Sequence, residues 1–170
     1  SPPKPSSAAS DVYKRQLLDL SRKLTAATDR QAVISAAAQH LNGRDELRVC
    51  LINRDGQGGW KVETGGSPQF SEAERAAADW AWQHDQPAGL GTGTLPFGRW
   101  WWWPLSVDDG PLGLLGVCPR EGEEFSGQRR RLLTALSQPL AQALARARLA
   151  EDLEAARPVS YTHLTLPTKA

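Results

Sequence analysis

The chain has 170 residues, 20 basic against 19 acidic, with two cysteines, three histidines and no methionine. That length is enough for one domain with a single core, and a near-neutral charge carries no electrostatic footprint for nucleic acid. No apolar run is long enough to span a bilayer, and the Cys and His spacing fits neither a zinc site nor a disulfide framework.

The two ends read as non-native. Residues 6–16, SSAASDVYKRQ, back-translate to a transposon sequencing adapter, and residues 159–168, VSYTHLTLPT, translate its reverse complement in another frame. Residues 1–16 and 158–170 are therefore expected to be adapter-derived, the first stretch disordered, with 17–157 as the domain. Setting the ends aside removes Lys4, Lys14, Arg15, Lys169 and Asp11. The rest holds 16 basic against 18 acidic residues, a mildly acidic balance that again argues against nucleic acid.

Leu17 to Leu41 reads as helix. Leu17, Leu20 and Leu24 form one stripe, and Val33, Ala37 and Leu41 continue an apolar face. Thr28-x-x-Gln31 has the pattern of a capping box, which predicts a break near 27–29 and a second helix ending at Asn42-Gly43. Leu47 to Asn53 reads as a strand, Asp55 to Gly59 as a hairpin turn, and Trp60 to Thr64 as the return strand. Ser71-x-x-Glu74 is a second capping box, opening a helix to about Gln83 with Ala73, Ala77, Trp80 and Ala81 on one face. A Gly/Thr loop follows. Arg99–Val107 and Leu112–Cys118 are predicted strands joined by Asp108-Asp109-Gly110.

Residues 126–157 read as one long helix, with Leu132, Leu136, Leu140 and Leu144 in a stripe that Leu149 and Leu153 extend. Pro139 is expected to kink it mildly. The order α-α-β-β-α-loop-β-β-α predicts an α+β fold, an antiparallel sheet with flanking helices and a long C-terminal helix.

The densest chemistry lies in residues 80–105, WAWQHDQPAGLGTGTLPFGRWWWWPL. The candidate pocket or lid residues are Trp82, Gly89, Gly91, Thr92, Thr94, Trp100, Trp101, Trp102 and Trp103. The loop lacks the Lys-Ser/Thr of a P-loop, and it follows a helix and precedes a strand, the reverse of a dinucleotide-binding turn. Two readings stay open. The loop is a tight lid packed on the sheet, or its carbonyls and the hydroxyls of Thr92 and Thr94 coordinate a small ligand or hard cation. In Trp100–Trp103 alternate side chains face opposite sides of a strand, so one pair, Trp100 and Trp102 or Trp101 and Trp103, could wall a cavity. Each indole N–H calls for a partner. The basic cluster 128–131 reads as a solvated face and Asp108-Asp109 as a turn. No nucleophile–base pair is present, so no catalytic residues, cofactor or metal ligands are assigned.

The string PAGLGTGTLP, followed by W-x-x-x-PL, resembles the GAF-like domain of the KdpD potassium-sensing histidine kinase family. The opening LLDLSRKLTAA and closing ALARARLAEDLEAAR are similar to that family's as well, so the likeness spans nearly all of 17–157. The chain departs from the family pattern at Gly93 and in its heavier tryptophan run. The resemblance implies a regulatory, non-catalytic GAF-like domain on the cytoplasmic side of an inner-membrane sensor kinase. In such a parent its partners would be the protein's own transmembrane and kinase domains, a response regulator and a second copy, with K⁺ or a small ligand as input. The leucine stripe running into 145–156, flanked by Arg146, Arg148, Glu151, Asp152 and Glu154, suggests a parallel two-helix spine that relays the signal. The alternative is a GAF domain of another signalling protein binding an aromatic or nucleotide-like molecule. A free-standing GAF enzyme such as a methionine sulfoxide reductase would need reactive cysteines, and Cys50 and Cys118 sit in apolar strands.

Overall fold

The computed structural model describes residues 5–41 and 47–157. Nine elements follow in order: α1 (Pro5–Ala26), α2 (Arg30–Leu41), β1 (Leu47–Arg54), β2 (Trp60–Thr64), α3 (Glu72–His84), β3 (Ala88–Gly89), β4 (Trp101–Val107), β5 (Gly110–Pro119) and α4 (Gly127–Ala155). The strands form one antiparallel sheet in the order β2-β1-β5-β4-β3. The expected α+β architecture is therefore present, with one strand added. Two-residue β3 lies inside the Gly/Thr loop and pairs Ala88 with Trp102 and Gly89 with Trp101.

The sheet buries both faces, each in its own way. On one side α2 and α4 lie over Val49, Leu51, Trp101, Leu105, Leu115 and Val117, and α1 packs against α2 and α4. On the other, α3 and the loop after it cover Cys50, Ile52, Trp102, Leu114 and Cys118. From Val49 to Ile52 in β1 and from Leu114 to Cys118 in β5 the buried side chains alternate between the two cores, as a pleated strand requires, and the register shift opposite Leu105 and Ser106 puts Leu112 on the first side.

Several local expectations shift. The first helix begins at Pro5, ahead of the apolar stripe at Leu17. Leu17 packs against the core half-buried, and among the side chains described the first to be fully buried are Leu20 and Leu24. The second helix is capped by Asp29, not by a Thr28–Gln31 box: the Asp29 carboxylate accepts from Ala32 N at 2.8 Å, and Asp29 O accepts from Val33 N. A charged carboxylate acceptor one residue later takes the cap. The end at Asn42-Gly43 lies outside the described residues. In α3 the buried stripe is Glu74, Ala77, Ala78 and Ala81, with Ala73 and Trp80 half-buried. The face is rotated because Glu74 is drawn inward by its bonds. In α4, Leu133, Leu136, Leu140 and Leu144 are buried and Leu132 is half-buried, whereas Leu149 and Leu153 are 61% and 64% exposed.

Three polar ties fix the layers. Arg30, at the start of α2, pairs with Glu63 of β2 and donates to Leu112 O at 3.3 Å. His40 of α2 meets Asp19 of α1 at 2.9 Å, and this bond holds the Asp19 carboxyl below its ordinary range. Arg146 of α4 donates to Leu24 O at 3.4 Å, joining the long helix to α1.

Candidate functional site

Everything on the α3 side of the sheet depends on how α3 starts. Ser71 and Glu74 form the expected capping box: the Glu74 carboxylate accepts from Ser71 N at 2.8 Å, and the Ser71 hydroxyl accepts from Glu74 N at 3.3 Å. The second Glu74 oxygen accepts from Arg99 N at 3.3 Å. One buried carboxylate thus caps a helix and anchors the loop where it leads into β4. Glu74→Ala leaves two backbone donors without that acceptor, and each such loss costs about 1–3 kcal/mol. The expected result is a lower denaturation midpoint together with faster hydrogen exchange at the Arg99 amide.

The loop between β3 and β4 is satisfied largely from within. Gly89 N donates to Thr94 O at 2.9 Å, and Thr92 N donates to Gly89 O at 3.1 Å. The Thr92 hydroxyl lies 2.8 Å from Gly89 O and 2.9 Å from Thr94 O, and it accepts from Thr94 N at 3.1 Å. Its single proton is claimed inside the loop. Gly91 O accepts from the Arg130 guanidinium of α4 at 3.2 Å. Gly89 and Gly91 both take positive φ, 93° and 73°, where a side chain is strained. A Cβ on Gly89 would run into Trp100 O, and one on Gly91 into Arg130. The carbonyls of Gly89, Gly91 and Thr94 thus serve as acceptors for the loop and for α4, which is the geometry of a packed lid.

The tryptophan run divides as strand alternation demands. Trp101 and Trp103 face the α1/α2/α4 side, with ring centroids 5.4 Å apart, and Trp101 also meets Phe125 at 5.2 Å. Trp100 and Trp102 face α3 and the lid, stacked at 5.6 Å and 17°. Phe70 stands edge-on to both, at 5.4 and 5.3 Å. Trp100 and Trp102 are both buried. The Trp102 indole nitrogen is buried without a partner among the described residues. Trp82 sits apart from the run, half-buried and edge-on to Trp60 at 5.6 Å.

A second feature lies on the same side, at the β2 edge. A cleft of about 430 Å³ is lined by residues that include Trp60, Val62, Phe70, Arg75 and Asp79. None of the lid or tryptophan-run residues singled out from sequence lines it. Its polar parts are ordered: Arg54 lies 3.9 Å over the Trp60 ring, and Asp79 accepts from Arg54 at 2.9 Å and from Trp60 Nε1 at 3.0 Å. Sequence reading missed this cleft because its residues come from a strand, a loop and a helix that share no motif.

Both thiols face this side too. Burial pushes Cys50 up to about 12 and raises Cys118 in the same direction. Neither forms appreciable thiolate at neutral pH, so neither is an activated nucleophile. Among the described residues no group of three or more His, Cys, Asp or Glu side chains could hold a metal, and no helix is long and apolar enough to cross a membrane.

A central antiparallel sheet of order β2-β1-β5-β4-β3, a three-helix layer on one face, and one helix plus a lid on the other define a GAF-like fold. Among solved structures the chain is similar to the GAF domain of the potassium sensor histidine kinase KdpD from Escherichia coli. That likeness has a TM-score of 0.65 and 27% identity, covering 81% of this chain and 97% of that one. A GAF sensor protein from Burkholderia vietnamiensis shares the fold at a TM-score of 0.59 and 17% identity, covering 82% and 98% of the two chains. The GAF domain of an Acinetobacter phosphoenolpyruvate-protein phosphotransferase does so at 0.56 and 13%, covering 79% and 93%. No family model and no curated protein matches the chain.

Proposed function

We infer that this chain is the sensory and regulatory GAF domain of a sensor histidine kinase of the KdpD kind, not itself catalytic. The observation that carries the reading is the 27% identity extending over 97% of the E. coli KdpD domain. In this reading the domain stands on the cytoplasmic side of an inner-membrane protein that responds to potassium or osmotic state through a response regulator. Its output is α4. The exposed Leu149 and Leu153 lie on the stretch of that helix beyond the buried stripe, where a second copy would cover them. A relay of this type needs two packings of the paired helices, biased by the input. The alternative, a GAF domain of a different signalling protein, keeps the same fold and changes what α4 leads into.

Sedimentation velocity on the whole chain tests the relay. A dimer is expected at micromolar concentration, and the double variant Leu149→Glu/Leu153→Glu is expected to be a folded monomer. A wild-type chain that stays monomeric at millimolar concentration overturns the relay. Titration with KCl against NaCl at equal ionic strength tests the input. A spectral change specific to K⁺ supports potassium sensing, and identical responses to the two salts overturn it.

A further inference from the structure

The cleft between the β1–β2 hairpin, the loop before α3 and α3 itself has an unbalanced charge. Its carboxylate, Asp79, is neutralised by Arg54 and also accepts from the Trp60 indole. Its second cation, Arg75, donates one N–H to Phe70 O at 2.8 Å. Among the described residues no carboxylate pairs with Arg75. Arg75 is an exposed residue, and this one backbone tie turns its guanidinium toward the loop that carries Phe70 while leaving other N–H groups for an anion. Trp60, Val62, Pro68 and Phe70 supply an apolar part of the wall, and Gln69 with Gly58 and Gly59 complete it. A volume of about 430 Å³ suits a small organic molecule.

We propose that this cleft binds a small organic monoanion with a flat aromatic body, a carboxylate on Arg75 and the ring against Trp60, Val62 and Phe70. The bidentate fork of a guanidinium matches a carboxylate. A cation would meet Arg75 with no free carboxylate to receive it. A dianion would have one cation for two charges, with Asp79 close by. The ligand would also lie against Phe70, whose ring stands on Trp100 and Trp102, so occupancy reaches β4 through one side chain. The role of this contact as a signal rests on the sensory reading above; the binding itself does not.

The test is calorimetric titration of the whole chain with naphthalene-2-carboxylate and with its uncharged match, naphthalene-2-carboxamide. The carboxylate is expected to bind saturably and the carboxamide at least about tenfold more weakly. Arg75→Gln is expected to reduce the carboxylate to the carboxamide's level, while Arg22→Gln, an exposed change on α1, leaves it unaltered. In the nitrogen–proton spectrum the Trp60 indole resonance should move with occupancy. No saturable binding of the carboxylate, equal binding of the two probes, or a Trp60 resonance that stays still during binding each overturns the proposal. If Arg75→Gln does not fold, the wild-type comparison of the two probes and the Trp60 signal decide. The Leu149→Glu/Leu153→Glu chain should bind as the wild type does, so the cleft and the relay fail separately.

Discussion

Trp102→Ala is expected to lower the unfolding free energy by about 3–5 kcal/mol, the range for deleting a large buried aromatic. The indole is fully buried between β5, the lid and Phe70, and it stacks on Trp100. Its removal leaves a cavity bounded by the sheet, which cannot collapse without breaking the β3–β4 and β4–β5 pairing. A loss of this size corresponds to a fall in Tm on the order of 10 °C or more. Trp102→Phe separates two terms. It gives up part of the ring, but it also removes an N–H buried without a partner. Both variants remove that N–H, so the Phe variant should lose far less than the Ala variant because it keeps a six-membered ring in the space the indole fills. Equal losses for the two in a urea titration would mean that the smaller ring does not pack in the space the indole leaves.

Gly116→Ala carries the second large effect. Gly116 pairs with Trp102 across β4–β5 and with Cys50 across β1–β5. A Cβ there would fall inside the edge of the Trp102 ring, 3.0 Å from its Cε3, and 2.8 Å from the Cys50 sulfur. Neither neighbour can yield, since both are buried in the middle of the sheet. Overpacking of this kind costs about 1–3 kcal/mol, and Gly116→Val should cost more. The clash is chiefly with the benzo edge of the indole, which phenylalanine lacks. The double variant Gly116→Ala/Trp102→Phe should therefore be more stable than the sum of the singles implies, by about 1 kcal/mol. Strict additivity would mean that the strand shifts and the ring does not matter.

The elements that periodicity could reveal were legible in the chain. The β1–β2 and β4–β5 hairpins, the capped α3 and the long α4 each carry a local pattern, and the GAF-like order follows from their sequence. β3 was not legible because two residues make no period; Ala88 and Gly89 are a strand only because Trp101 and Trp102 offer them partners. The Asp29 cap competed with a Thr28 pattern that looks equally good on paper, and only the backbone decides which side chain reaches the free N–H groups. Strand alternation placed two tryptophans on each side, but which pair faces α3 depends on the sheet's neighbours. The cleft was hidden for a different reason. Val62 and Arg75 reach one space through the crossing of β2 and α3, and Trp60 reads as an ordinary strand residue until Arg54 and Asp79 are seen around it.

The ring geometry has an optical consequence. Indoles held rigidly at an angle to each other couple their electronic transitions, and circular dichroism records that coupling only while the packing lasts. Trp60 and Trp82 meet at 75° beside the cleft, and Trp101 and Trp103 at 31° beneath α4. The two pairs lie on opposite sides of the sheet. Difference spectra from Trp82→Phe and Trp103→Phe would therefore isolate the coupling of each of these two pairs, apart from the Trp100–Trp102 stack. The domain carries two built-in gauges, one beside the cleft and one beneath α4, readable without any label.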